Sequence, residues 1–223
     1  MSEENGLAQP PSGVGLDGLR AAAAGCRACE LWQPATQTVF GEGPESARIV
    51  FVGEQPGDQE DRTGEPFVGP AGKLLDRALG DAGIDRRDAY VTNAVKHFRF
   101  TVKGKRRIHA TPGAEHMRAC RPWLESEFAV LKPEVVVCLG ATAAKALISP
   151  SFRITKERGQ LLPWTPPGVV AAEPADEDED APHQTWMLAT THPSAILRTP
   201  DDARAAAYDA LVADLTVVAH ALA

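Results

Sequence analysis

Long apolar runs are missing from this chain. The most apolar stretch, Val135 to Ile148, is shorter than a bilayer requires and contains Lys145, so no membrane span is expected. No secretory leader is expected either. Met1 to Pro11 is polar and acidic, and the chain is expected in the cytoplasm. Cysteine is scarce, with four in 223 residues, which excludes a disulfide-built scaffold. No Walker loop or G-x-G-x-x-G turn is present, since Gly72-Lys73 is followed by leucine. A standard nucleotide-phosphate cradle is therefore not expected. What remains is ordinary for a globular protein: 43% hydrophobic and 24% charged residues. The length suits one sizeable domain and not two.

The net charge of −7 argues against nucleic acid at first sight. Its distribution argues the other way. Six acids (Glu173, Asp176, Glu177, Asp178, Glu179, Asp180) crowd one Pro/Ala-rich stretch, and Glu3 and Glu4 lie near the start. Without those eight acids the rest of the chain is close to neutral. Lys96, Arg99, Lys103, Lys105, Arg106 and Arg107 fall in a window, 96–114, that contains no acid. A local basic loop matters more to a phosphate backbone than the global sum does. A solvated surface loop is the plainer alternative. Residues 1–14 read as a flexible tail, and 171–184 as an acidic loop inserted in a single domain spanning 15–223.

Uniformly apolar runs at 47–53, 89–95, 133–139 and 186–190 read as buried strands. Helices are expected at 16–24, 70–82, 114–131, 141–147 and from about 201 onward. The last begins Thr199-Pro200-Asp201-Asp202, a hydroxyl cap with proline and acids in the first turn. Alternating strands and helices imply an α/β/α sandwich around a parallel sheet of four strands. Ligands then bind beyond the carboxyl ends of the strands, on the loops 53–69, 95–113, 139–141 and 190–196.

Those loops carry the residues of interest. Glu54 follows the first strand in Gly53-Glu54-Gln55-Pro56-Gly57-Asp58, a tight turn whose amides can approach a ligand. Phe67, between prolines and glycines, can stack on a flat base or plug a core. Asn93 ends a strand, where its amide can read a base edge or cap a turn. His192 lies in Thr191-His192-Pro193-Ser194, and His109 ends the run Lys105-Arg106-Arg107-Ile108-His109. Cys26 and Cys29 form a C-x2-C pair, while Cys120 and Cys138 are separated by 17 residues. Four thiolates suit a structural zinc or an iron–sulfur cluster, and buried core cysteines are the alternative; spacing leaves these open.

Taken together, GE-x-PG-x-x-ED, G-x-PFVG-x-AG-x-LL, N-x-VK and HPS, with C-x2-C and two later cysteines, resemble the iron–sulfur (family 4) uracil-DNA glycosylases over residues 17–220. Within that superfamily GEQPG and the KRRIH loop look like the UdgX branch, whose members become covalently attached to uracil-DNA. The resemblance implies a [4Fe–4S] cluster on Cys26, Cys29, Cys120 and Cys138. It implies that Phe67 stacks on a flipped uracil and Asn93 reads its O4/N3 edge, with Gln55, Asp58 and Arg107 also binding substrate. His192 would donate to O2, Glu54 would sit near the sugar, and His109 would be the nucleophile. Lys105, Arg106 and Ser194 would contact DNA. The expected activity is a monomeric enzyme that excises uracil from single- or double-stranded DNA and traps itself on the sugar through His109. The alternatives are a conventional turning-over glycosylase and a non-catalytic binder of uracil-DNA.

Overall fold

A computed structural model describes residues 6–166 and 184–222. Its helices and strands follow one another as α1 (Leu16–Ala23), β1 (Ile49–Gly53), α2 (Asp58–Thr63), α3 (Pro70–Asp81), β2 (Ala89–Asn93), β3 (Phe100–Lys103), β4 (Arg106–His109) and α4 (Ala114–Leu131). Then come β5 (Val135–Leu139), α5 (Ala141–Leu147), α6 (Ile154–Glu157), β6 (Leu162–Trp164), β7 (Thr185–Thr190), α7 (Pro193–Leu197) and α8 (Asp201–Ala221). Among the described residues no helix is long and apolar enough to cross a membrane. Of the acidic stretch 171–184, residues 171–183 lie outside the described residues.

The main sheet has five strands in the order β2-β1-β5-β7-β6. The four expected strands are all present and parallel to one another. The fifth, β6, is an addition: it pairs antiparallel to β7 at the sheet edge, with Pro163 opposite Trp186. An edge strand tolerates proline because one of its sides needs no donor, and three residues with a proline leave no strand signal in the sequence. The parallel strands are buried at nearly every position, as expected of a sheet covered on both faces.

Alternation along each strand splits the core in two. Ile49, Phe51, Val91, Val135, Val137 and Leu188 face one layer, where Leu75 and Leu79 of α3 and Leu211 and Leu215 of α8 cover them. Val50, Val52, Tyr90, Val136, Cys138 and Met187 face the other, under Leu124 and Phe128 of α4 and Ala143 and Ala144 of α5. A third apolar cluster lies outside this layer, between α1 and α4, and holds Leu19, Ala23, Phe40, Val95, Cys120 and Trp123. Within the stretch 1–14 read as a tail, Ala8 is buried and donates its N–H to the Ala119 carbonyl at 2.8 Å. Thr199 does not cap α8. Its hydroxyl donates to the Ala195 carbonyl, and Pro200 takes the cap position.

Two segments read as loops are regular. The acidic run after β1 forms α2, where Glu60 accepts the N–H of Gly57 at 3.1 Å. The basic run 100–109 is an antiparallel hairpin turning at Gly104, with Phe100 opposite His109 and Val102 opposite Arg107. The positive φ of Gly104, +61°, explains the glycine at that turn.

Candidate active site

The parallel register places the carboxyl ends of the strands side by side. Gly53 lies opposite Asn93, and Leu139 opposite Thr190. The chain lays β2 on one side of β1 and β5 on the other, so the topology reverses between β1 and β5. Ligands bind at such a reversal, and a cleft of about 770 Å³ opens there. Glu54, Gln55, Phe67, Asn93, His109, His192 and Ser194 all line it. These residues come from the segments that follow β1, α2 and β7, from the last residue of β2 and from the end of the hairpin.

The floor is tightly built. A Cβ added to Gly53 would lie 2.3 Å from Asn93 Oδ1 and 2.8 Å from Phe67 Cζ. Glycine is therefore required for the Asn93 amide and the Phe67 ring to close over the strand end. Phe67 itself has φ = +58°, a left-handed conformation unfavourable for a bulky residue. Its loop is clipped in place by Glu60, whose carboxylate accepts the N–H of Gly69 at 2.8 Å and that of Gly57 at 3.1 Å. The Phe67 and His192 rings face each other with centroids 6.3 Å apart and planes 26° apart.

His192 has a defined tautomer. Its Nδ1 accepts the backbone N–H of Ser194 at 3.1 Å and lies 2.8 Å from the Ser194 hydroxyl. In the neutral ring the hydrogen then sits on Nε2, which is free to donate. Burial, helped by Arg198 and His109, pushes the His192 pKa down to about 4, so the ring is neutral at physiological pH. Ser194, expected on DNA, serves here as the partner that orients His192.

His109 is half exposed and places Nε2 3.4 Å from Glu54 Oε1. The other Glu54 oxygen accepts the Thr142 hydroxyl from the first turn of α5. Burial lowers the His109 pKa from its ordinary value; the Glu54 carboxylate opposes that shift and Arg198 adds to it. The result is a neutral imidazole next to a carboxylate, the arrangement of an oriented nucleophile or base.

Gln55 lines the cleft, and its side chain reaches across to the hairpin. It donates to the carbonyls of Arg99 and Ala110, each at 3.1 Å, and accepts the Arg99 N–H at 2.9 Å. Both ends of the hairpin are thus tied to the loop after β1. Arg107 and Asp58, expected on substrate, do not line the cleft. They bind each other at 2.5 Å, and Arg107 also reaches the fully buried Asp61 at 2.6 Å. Together they fasten the hairpin to α2. Lys105 and Arg106 are exposed at the hairpin tip. Thr142, Glu60 and Arg198, all in the cleft wall, were not singled out from the sequence.

The four cysteines do not come together. Cys26, Cys29 and Cys120 share the cluster between α1 and α4. There Trp123 Nε1 donates to Cys26 Sγ at 3.3 Å and the Lys96 N–H to Cys120 Sγ at 3.2 Å. Cys138 instead packs in the sheet layer, with its Sγ 3.7 Å from Met187 Sδ. The parity of β5 explains this: Cys138 points the same way as Val136, into the layer under α4 and α5. Among the described residues no group of three or more His, Cys, Asp or Glu side chains is arranged to hold a metal ion. The four-cysteine ligand set therefore does not fit this structure.

Residues 40–216 match the family model of the uracil DNA glycosylase superfamily. The chain is 42% identical over 140 residues to a type-4 uracil-DNA glycosylase of Thermotoga maritima, covering 62% of this chain and 69% of that one. It is 40% identical over 179 residues to the type-4 uracil-DNA glycosylase of Archaeoglobus fulgidus, covering 78% and 79%. The type-4 uracil-DNA glycosylase of Pyrobaculum aerophilum is 34% identical over 175 residues, covering 78% and 81%.

Proposed function

We propose that this chain, which belongs to the uracil DNA glycosylase superfamily, excises uracil from DNA and is then captured by the sugar it exposes. One observation carries the reading: Glu54, Phe67, Asn93, His109 and His192, from separate segments of the sequence, line a single cleft.

A base stacked in a duplex is out of reach, so the nucleotide enters flipped or from a single strand. Phe67 offers a ring face for stacking. Asn93 both donates and accepts, and so distinguishes uracil from cytosine, whose patterns at N3 and position 4 are opposite. When the C1′–N1 bond breaks, its electron pair goes to the base and spreads onto O2. The neutral His192, with its hydrogen on Nε2, donates there and stabilises the leaving anion. Positive character is left at C1′. A ring nitrogen of His109 then forms a bond to C1′ with its lone pair. The resulting imidazolium is stabilised by Glu54 and sheds its other proton to solvent. No water is consumed, and the adduct has no good leaving group. Lys105 and Arg106 hold phosphate at the hairpin tip.

Among the described residues the cysteines are not gathered into a ligand set for an iron–sulfur cluster, and this reading does not rest on one. No step of the reaction runs through such a cluster.

The test is a denaturing gel of the protein with an end-labelled oligonucleotide containing one uracil. The expected product is a labelled band at the mass of protein plus DNA, stable to heat and detergent. A free strand that breaks under alkali would instead mark a turning-over glycosylase in which His109 touches DNA without attacking it. An intact, unshifted strand would overturn the activity itself.

A further inference from the structure

Beneath Asn93 lies a charged pair that the reaction above does not use. Lys96 and Glu127 are 1% and 0% exposed, with Nζ 2.5 Å from Oε2. Glu127 also accepts the Tyr90 hydroxyl at 2.8 Å and the Thr92 hydroxyl at 2.9 Å. The Lys96 ammonium spends its other hydrogens on Thr92 Oγ1, at 2.6 Å, and on the carbonyl of Asn93, at 2.9 Å. Its backbone N–H goes to Cys120 Sγ at 3.2 Å. The next residues are fixed from the opposite side, where Ala94 and Val95 donate to the carbonyls of Gly53 and Glu54, both at 3.0 Å.

A buried ion pair is weak evidence for stability, because a well-packed apolar pair often does as well. This one ends on the carbonyl of the residue whose side chain reads the base. We propose that Lys96 is a positioning residue for Asn93: its buried ammonium pins the Asn93 carbonyl and so fixes where the Asn93 amide meets the base. This rests on the reading of Asn93 as the group that recognises uracil. The amide can turn about its side-chain bonds, but it cannot shift sideways while its own carbonyl is held and Gly53 sits against Oδ1. Discrimination by paired hydrogen bonds needs that placement, since small misplacements cost heavily.

The test pairs Lys96→Met with Glu127→Gln in one variant. The glutamine still accepts from Tyr90 and Thr92, and no lone charge is left buried. Two quantities are read: the single-turnover rate of uracil excision and the inhibition of that rate by free uracil against free cytosine. A folded double variant should excise about 10- to 100-fold more slowly. Inhibition by free uracil should weaken by a similar factor, narrowing the gap to cytosine. Unchanged excision would overturn the proposal. So would slower excision with inhibition by uracil intact, because Lys96 would then act other than through Asn93. Asn93→Ala run alongside separates the two ideas: if that variant excises normally, it is the reading of Asn93 that fails. Should the double variant not fold, hydrogen exchange on the wild-type chain carries the test. The amides of 92–96 should exchange only with global unfolding, and rapid exchange there would overturn the pinning.

Discussion

The strand-end pocket and the β3–β4 hairpin contribute to one cleft, yet they are built differently. Asn93, Glu54 and His192 stand at or just beyond the ends of parallel strands that are buried along their lengths. His109 stands on a two-stranded hairpin whose residues from Thr101 to Arg106 are all exposed. The pocket is part of the core, whereas the hairpin is fastened on by Gln55 at its base and by Arg107 to Asp58 and Asp61. In the proposed reaction, breaking the glycosidic bond would belong to the scaffold and capturing the sugar to an attachment. The two halves of the chemistry should be separable by mutation.

His109→Gly gives the largest separation. Covalent capture should disappear altogether while uracil release continues, because water can occupy the space left at C1′; an alkali-cleavage assay beside the denaturing gel reads both. Loss of both activities would break the division. His192→Ala should act on the other half, slowing excision by about 10²–10³-fold and reducing capture only as excision falls. Arg107→Ala comes next. Freed from Asp58 and Asp61, the hairpin should hold His109 less well, lowering the capture rate by roughly tenfold with excision little changed.

Acidity should draw the same line more gently. Attack needs the unprotonated imidazole of His109, whose pKa burial holds below the ordinary 6.5. Capture should be full at neutral pH and decline once the pH falls through that lowered value. His192 stays neutral down to about 4, so its ring should leave excision unchanged above that value, while capture follows the titration of His109. Rate profiles of the two products against pH check this. The smallest effect is expected from Cys138→Ala. It should lose roughly 1 kcal/mol of stability through a small cavity, read as a small fall in the thermal unfolding midpoint with excision and capture unchanged.

The four parallel strands were readable because each carries an unbroken run of apolar residues, and Asn93 and His192 follow from standing at or just beyond their ends. The hairpin was not readable. Its strands are four residues each and exposed at most positions, with no buried apolar run, so the basic run looked like a loop. Gln55, Arg107 and Asp58 were singled out for substrate, but the contacts they make are ties spanning 44 to 55 residues of sequence, which no local pattern encodes. Thr142 was missed for the same reason, lying 88 residues from the Glu54 it orients. Cys138 illustrates a different limit. Spacing counts the residues between thiols, but strand parity decides which layer a thiol enters, and here it enters the one without the other three.

The exposed tip of the hairpin has a consequence for protease digestion. Lys103, Lys105 and Arg106 crowd around the Gly104 turn in a segment tied to the body at its base and through Arg107. Short, exposed, locally tethered segments are where nicking concentrates. Trypsin should therefore cut here before it reaches the sheet, leaving a clipped chain that keeps its core. Uracil-containing DNA lying across the same lysines would shield them, so the delay of that first cut offers a footprint of the bound strand.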